Sequence, residues 1–234
     1  NMTISGETID YGPCAFMDRF AMDTVFSSID RNGRYAFGNQ ASIAQWNLAR
    51  FAETLLPLLH ADMNTAADLA EAAIEGYSAI FNEAWLCGMR RKLGLFGEET
   101  DDLPLIQSLL EWMQKTGADY TITFRDLISE TIPSGEAYQS QAFRDWHTRW
   151  QARLVRNTKP LQSSFCLMRD SNPVIIPRNQ HVEDALAFAE EVNLKAFHTL
   201  LEAVQHPFAE TESNLQFRTP PPHANRNYQT FCGT

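Results

Sequence analysis

Asn1-Met2-Thr3-Ile4-Ser5-Gly6-Glu7-Thr8-Ile9-Asp10-Tyr11-Gly12 opens the chain, and the way this stretch folds decides how the rest is read. Two short β-prone runs flank Ser5-Gly6, and a two-residue turn there would close a β-hairpin. Counted outward, Ile4 faces Glu7, Thr3 faces Thr8, Met2 faces Ile9 and Asn1 faces Asp10, across pairs whose Cα atoms lie about 4.5–5.5 Å apart. The register therefore predicts that one amide oxygen and one carboxylate converge on a single point. A few oxygen ligands that leave room for water and phosphates suit a hard ion such as Mg²⁺ held jointly with a nucleotide.

Downstream of this segment the periodicity is helical. Leu69, Ala70, Ala73, Ile74, Tyr77, Ile80, Phe81, Ala84, Trp85 and Gly88 recur at three- and four-residue steps, which predicts a long helix over 64–93. A second stripe, Ala185, Ala189, Val192, Ala196, Leu200 and Val204, predicts a helix from near His181 to His206-Pro207, where proline cannot continue it. Shorter helices are predicted over 41–56, 104–115 and 140–156, the last burying Phe143, Trp146, Trp150 and Leu154. Residues 207–234, with Pro220-Pro221-Pro222, read as an extended tail. The chain is thus mainly α and a single domain: a hairpin-bearing segment over 1–38, a helical body over 39–206 and the tail.

Composition narrows the function classes. Of 234 residues 44% are hydrophobic, enough for a core. Nineteen basic against 29 acidic residues give a net charge of −10, so a broad phosphate-backbone surface is not expected and nucleic acid is set aside as the main partner. No apolar run approaches the roughly 20 residues of a membrane span. Cys14, Cys87, Cys166 and Cys232 form no closely spaced pair, which argues against zinc and against a disulfide scaffold and points to a reducing compartment. The first residue is Asn and no leader-like segment follows, so the natural N-terminus is expected upstream.

Asp10-Tyr11-Gly12 stands where protein kinases have Asp-Phe-Gly, with an upstream Asn as the other metal ligand. Taken alone the triplet is weak, and a plain hairpin ending in an Asp-Gly turn explains it better. The surrounding text is more specific. Asn1 to Ile4, Ile9 to Asp18, Val25 to Asp30, Gly33 to Gln40 and Ala44 to Arg50 closely resemble the selenoprotein O (SelO/YdiU) family, as do Met168-Arg169, Asn172-Pro173, Ile176 to Asn179 and the terminal Phe231-Cys232-Gly233-Thr234. That resemblance implies the C-lobe of a protein-kinase-like α+β fold. It also implies a reversed ATP, so that AMP passes to Ser, Thr or Tyr hydroxyls of target proteins. Asn1 and Asp10 match the family's metal ligands for Mg²⁺ or Mn²⁺, and Asp10 thereby also contacts the bound ATP. The family's catalytic base, an Asp just before that Asn, would precede residue 1, so no catalytic residue is assigned within the chain, and this piece alone is expected to be inactive. The resemblance further implies a cytoplasmic location in a bacterium, or a mitochondrial one in a eukaryote. Some members pair a C-terminal cysteine with one in the activation-like segment; here Thr24-Val25-Phe26-Ser27-Ser28 has none and the nearest is Cys14, so Cys232 is expected to be a free, accessible thiol or a transient redox site rather than half of a stable bridge.

Other readings are weaker. An ordinary kinase is disfavoured by the short step from Asn1 to Asp10 and the lack of an Ala-Pro-Glu motif. Asp62-Met63-Asn64 resembles the start of a calcium loop, but Ala66 stands where an oxygen is needed. The histidines show no H-E-x-x-H spacing, and there is neither a G-x-S-x-G elbow nor a Walker loop. Arg169 and Arg178 flank a Pro-punctuated loop leading into the helix that starts near His181, with Glu183 and Asp184 placed in its first turn, and they suit capping and ion pairing better than substrate contact. Trp46, Asn47 and Arg50 either brace the activation-like segment or simply pack. The alternative class of function is a non-catalytic helical interaction module or inactive pseudokinase lobe.

Overall fold

The computed structural model describes residues 2–7 and 15–221. Among these residues the structure is mainly helical, with α1 Gln40–Leu59, α2 Met63–Glu75, α3 Tyr77–Lys92, α4 Asp102–Thr116, α5 Tyr120–Asp126, α6 Gln141–Val155, α7 Leu161–Ser171, α8 Asn179–Glu190, α9 Lys195–Gln205 and α10 Glu212–Leu215. No β-strand occurs among them; one antiparallel bridge joins Arg19 to Asp119. The chain divides into two compact units, the first built mainly on Met22–Cys87 and the second on Ala15–Ala21 with the residues from Gly88 onward.

In the first unit α1 packs on α2, and the buried Ala66 and Ala70 provide the small side chains for that contact. Asp62 starts α2 as its N-cap, its carboxylate accepting from the Thr65 backbone N–H and hydroxyl at 2.9 Å each; this is what the Asp62-Met63-Asn64 sequence does. Ahead of α1, the backbone of Gly38 donates to Met22 C=O at 2.7 Å. The approach is so close that a Cβ on Gly38 would lie 2.9 Å from Met22 Cε and 3.0 Å from that oxygen.

The second unit is held by an aromatic ladder and by buried arginines. Phe143, Trp146, Trp150 and Leu154 form the buried face of α6, as the sequence predicts. Trp146 Nε1 donates to Leu105 C=O at 2.8 Å and Trp150 Nε1 to Leu93 C=O at 2.9 Å, so both indoles are buried with their polar atoms satisfied. Asp102, fully buried, accepts from Arg153 Nε at 2.7 Å, Arg90 Nε at 2.8 Å and the Glu99 N–H at 3.0 Å. Burial raises this carboxyl, but the hydrogen bonds from Arg153, Glu99 and Arg90 outweigh it and hold its pKa below the usual range.

Three expectations are corrected. The helix predicted over 64–93 is two helices, because the chain breaks at Gly76 between α2 and α3, where glycine costs a helix about 1 kcal/mol relative to alanine. The helix predicted from His181 to His206 breaks after Glu190. There Val192 takes φ +62° and its neighbour Asn193 donates back to Phe188 C=O at 3.0 Å. This is a Schellman closure at a position that normally holds glycine. The tail is not wholly extended, since α10 forms where Thr211 caps the Asn214 N–H at 3.2 Å. The buried Asn214 amide in turn donates to His206 and Ala209 carbonyls.

Candidate functional site

Asn1 and Asp10, the metal ligands expected from the sequence, lie outside the described residues, as do Tyr11, Gly12, Cys14 and Cys232. The structure does describe the turn between the two ligands in sequence and the segment that follows Asp10. Gly6 N–H donates to Thr3 C=O at 3.2 Å, so the turn centres on Ile4-Ser5, one residue earlier than the hairpin count assumed. A turn centred on Ser5-Gly6 would need a positive φ at its first central residue, and in the type I′ form at both; here Gly6 alone takes one, +71°. Thr3 Oγ1 closes the loop on Glu7 C=O at 2.7 Å.

Over Ala15–Ala21 the segment is held by contacts within the second unit. Asn179, first residue of α8, grips Phe16 from both sides: its Oδ1 accepts the Phe16 N–H at 2.8 Å and its Nδ2 donates to Phe16 C=O at 3.1 Å. A side-chain amide here completes the backbone pairing that a neighbouring strand would otherwise supply. Two residues on, Asp18 C=O accepts from the Tyr120 N–H at 2.8 Å and the Phe20 N–H donates to Ala118 C=O at 2.9 Å. Phe20, 1% exposed, stacks on Tyr120 with ring centroids 5.6 Å apart.

Arg178 is the hub of this arrangement. Its guanidinium, fully buried, donates to Asp18, to Asp119 Oδ2 at 2.7 Å, and to Arg218 C=O from Nε at 2.9 Å and Nη2 at 2.6 Å. Asp119 in addition caps α5 by accepting the Ile122 N–H at 2.8 Å. Burial raises the Asp119 pKa, and the Arg178 hydrogen bonds and charge only partly offset it. The sequence reading gave Arg178 a capping and ion-pairing role, and its ion-pair partners are Asp18 and Asp119, both far away in sequence. No local spacing announces such a cluster.

A second cation, half-buried, packs against the aromatic rings of α5. Lys92 Nζ sits 5.3 Å from the Tyr120 ring centroid and 4.8 Å from that of Phe124, and donates to Asn172 Oδ1 at 3.0 Å. Desolvation lowers its pKa to about 8. In the first unit Arg34 Cζ lies 4.4 Å over the Trp46 ring. Among the described residues no three His, Cys, Asp or Glu side chains are grouped to hold a metal, and no helix is long and apolar enough to cross a membrane.

Comparison with known proteins agrees with the resemblance read from the sequence. Residues 1–205 match the family described as protein adenylyltransferase SelO. A protein nucleotidyltransferase YdiU from Nitrosococcus oceani is 54% identical over the whole of this chain and 48% of its own length. One from Alcanivorax borkumensis is 54% identical over the whole chain and 49% of its length, and one from Syntrophotalea carbinolica is 49% identical over 48% of its length. The chain spans about half the length of the curated relatives it matches. With the family matched over most of the chain and relatives near half identical along all of it, this protein belongs to the SelO family of nucleotidyltransferases.

Proposed function

We propose that this chain is the substrate-side, C-lobe part of a kinase-like enzyme that transfers AMP from ATP to Ser, Thr or Tyr hydroxyls of target proteins. In this reading residues 1–38 form its metal-binding and activation-like segment, 39–206 its helical body and 207–234 its tail. The observation that carries the reading is the family match over residues 1–205, which includes Asn1 and Asp10. An amide oxygen and a carboxylate are hard donors of the kind Mg²⁺ or Mn²⁺ takes, so the residues fit the ion. When bound, the ion neutralises phosphate charge and orients the α-phosphorus. The chain's own contribution is to hold the segment downstream of Asp10: Asn179 fixes the Phe16 backbone, and Arg178 ties Asp18 to Asp119.

The general base and the nucleotide-gripping cations belong to the rest of the protein in this reading, so the isolated chain is expected to bind ATP weakly. Incubating the full-length protein and an acceptor with ATP labelled at the α- or the γ-phosphate tests the proposal. AMP transfer labels the acceptor from α only. Label arriving from γ alone would make the enzyme a phosphotransferase and overturn the reading.

A further inference from the structure

Between Arg31 and Ala52 the sequence contains Arg31, Arg34 and Arg50 and not one aspartate or glutamate, in a chain of net charge −10. The first unit gathers two of these charges around one ring. Arg34 Cζ lies 4.4 Å and Arg50 Cζ 5.4 Å from the Trp46 centroid, and Arg34 also reaches the Tyr35 ring at 5.9 Å. Trp46 is 47% and Tyr35 36% exposed, and Arg31, Arg34 and Arg50 are exposed as well.

The acids that border this stretch do not neutralise it. Asp30 spends its two oxygens on backbone, accepting from the Arg34 N–H at 2.7 Å and the Tyr35 N–H at 2.8 Å. Glu53 pairs with Arg50 at 2.5 Å, with both side chains about half exposed, and an exposed pair of this kind is worth no more than about 1 kcal/mol. A carboxylate from another molecule can therefore replace Glu53 at little cost. Among the described residues Arg34 forms no ion pair, and its guanidinium is presented on the face of Trp46.

An exposed tryptophan between two arginines combines the residue types that dominate binding energy at protein interfaces. The guanidinium fork matches carboxylates in bidentate geometry. We propose that the Arg34–Trp46–Arg50 face docks an acidic segment of the protein to be modified. The inference rests on the reading of the chain as part of a protein AMP-transferase, and it adds the class of acceptor. Charge favours a short acidic peptide over nucleic acid, because a long polyanion would extend past this patch onto a strongly acidic chain that repels it.

The test uses the full-length protein and a fluorescent peptide rich in Asp and Glu around Ser and Tyr, with its lysine-substituted counterpart as control. The acidic peptide should bind and the basic one should not, with affinity falling as salt is raised through the range where the Debye length drops below about 8 Å. The double variant R34A/R50A should weaken acidic-peptide binding roughly tenfold. Trp46→Phe, which keeps an aromatic platform, should weaken it less than Trp46→Ala. In transfer assays R34A/R50A should raise KM for an acidic acceptor protein more than KM for its lysine-substituted counterpart. Equal binding of acidic and basic peptides, or an affinity untouched by R34A/R50A in a folded protein, overturns the inference. So does tight RNA binding that R34A/R50A abolishes and the acidic peptide does not compete with. Because peptide binding needs no chemistry, it judges this surface separately; absence of AMP transfer to any acceptor would instead count against the transferase reading.

Discussion

Replacing Arg178 by methionine removes the cation that Asp18 and Asp119 share while nearly keeping the volume of its stem. The Asp119 side chain is 16% exposed and that of Asp18 32%, so after the substitution one carboxylate is left largely desolvated and the other can still reach water. Breaking a fully buried pair from one side costs 3–5 kcal/mol; the residual access of Asp18 places this case near the lower bound, about 3 kcal/mol. The loss should be local, because the contacts that depend on Arg178 are those of Asp18, Asp119 and Arg218. Hydrogen exchange of the full-length protein reads it at the Phe20 and Tyr120 amides, which donate to Ala118 and Asp18 carbonyls. At about 1.4 kcal/mol per tenfold, exchange there should quicken by roughly a hundredfold, with the Trp146 and Trp150 region unchanged. Asp119 is already raised by burial, and without Arg178 it rises further. A carboxyl with a raised folded pKa weighs against the folded state when ionised and ceases to do so as pH falls through that pKa, so the variant-to-wild-type ratio should shrink on acidification. Adding Asp119→Asn to the variant should recover part of the protection at neutral pH. Equal exchange in variant and wild type, or a ratio indifferent to Asp119→Asn, would refute the claim that Arg178 holds this segment.

Two further outcomes follow from strained or desolvated groups. Val192→Gly should stabilise the second unit by about 0.5–1 kcal/mol, since a β-branched residue at φ +62° costs more than the added freedom of glycine in the unfolded chain; the urea midpoint should rise with an unchanged slope. Lys92 has a folded pKa near 8 against about 10.4 unfolded, so between these values the unfolded state binds more protons and stability should rise with pH. Lys92→Met should flatten that rise in thermal unfolding followed from pH 7 to 10.

The parts of the fold that could be read from sequence are those set by local chemistry. The α6 face was legible because Phe143, Trp146, Trp150 and Leu154 repeat at helical spacing and all four are buried. The breaks at Gly76 and at Val192 were not, because apolar residues continue at helical spacing past both although Val192 itself is 89% exposed. Short α5 went unseen for a related reason. Its buried residues Thr121, Thr123, Phe124 and Arg125 include polar side chains that are buried only because distant groups satisfy them, such as the Asn172 C=O that accepts from Arg125 at 2.9 Å. The same holds for the anchor downstream of Asp10, whose partners are 59 and 160 residues apart in sequence. Asn1 and Asp10 are proposed from their residue types within a family pattern, and both lie outside the described residues.

Transfer of α-phosphate label to protein by the full-length enzyme, wild type against Asp10→Ala, tests the central claim most directly. A lost metal ligand removes several kcal/mol of stabilisation from the transferring phosphate, and at about 1.36 kcal/mol per tenfold in rate the variant should fall by on the order of a hundredfold or more. Its unfolding temperature should match wild type. Asn1→Ala should cost less, since a neutral amide contributes a dipole where Asp10 contributes a charge. Near-normal labelling by a folded Asp10→Ala protein would contradict the metal-site assignment and leave the helical interaction module as the better account of this chain.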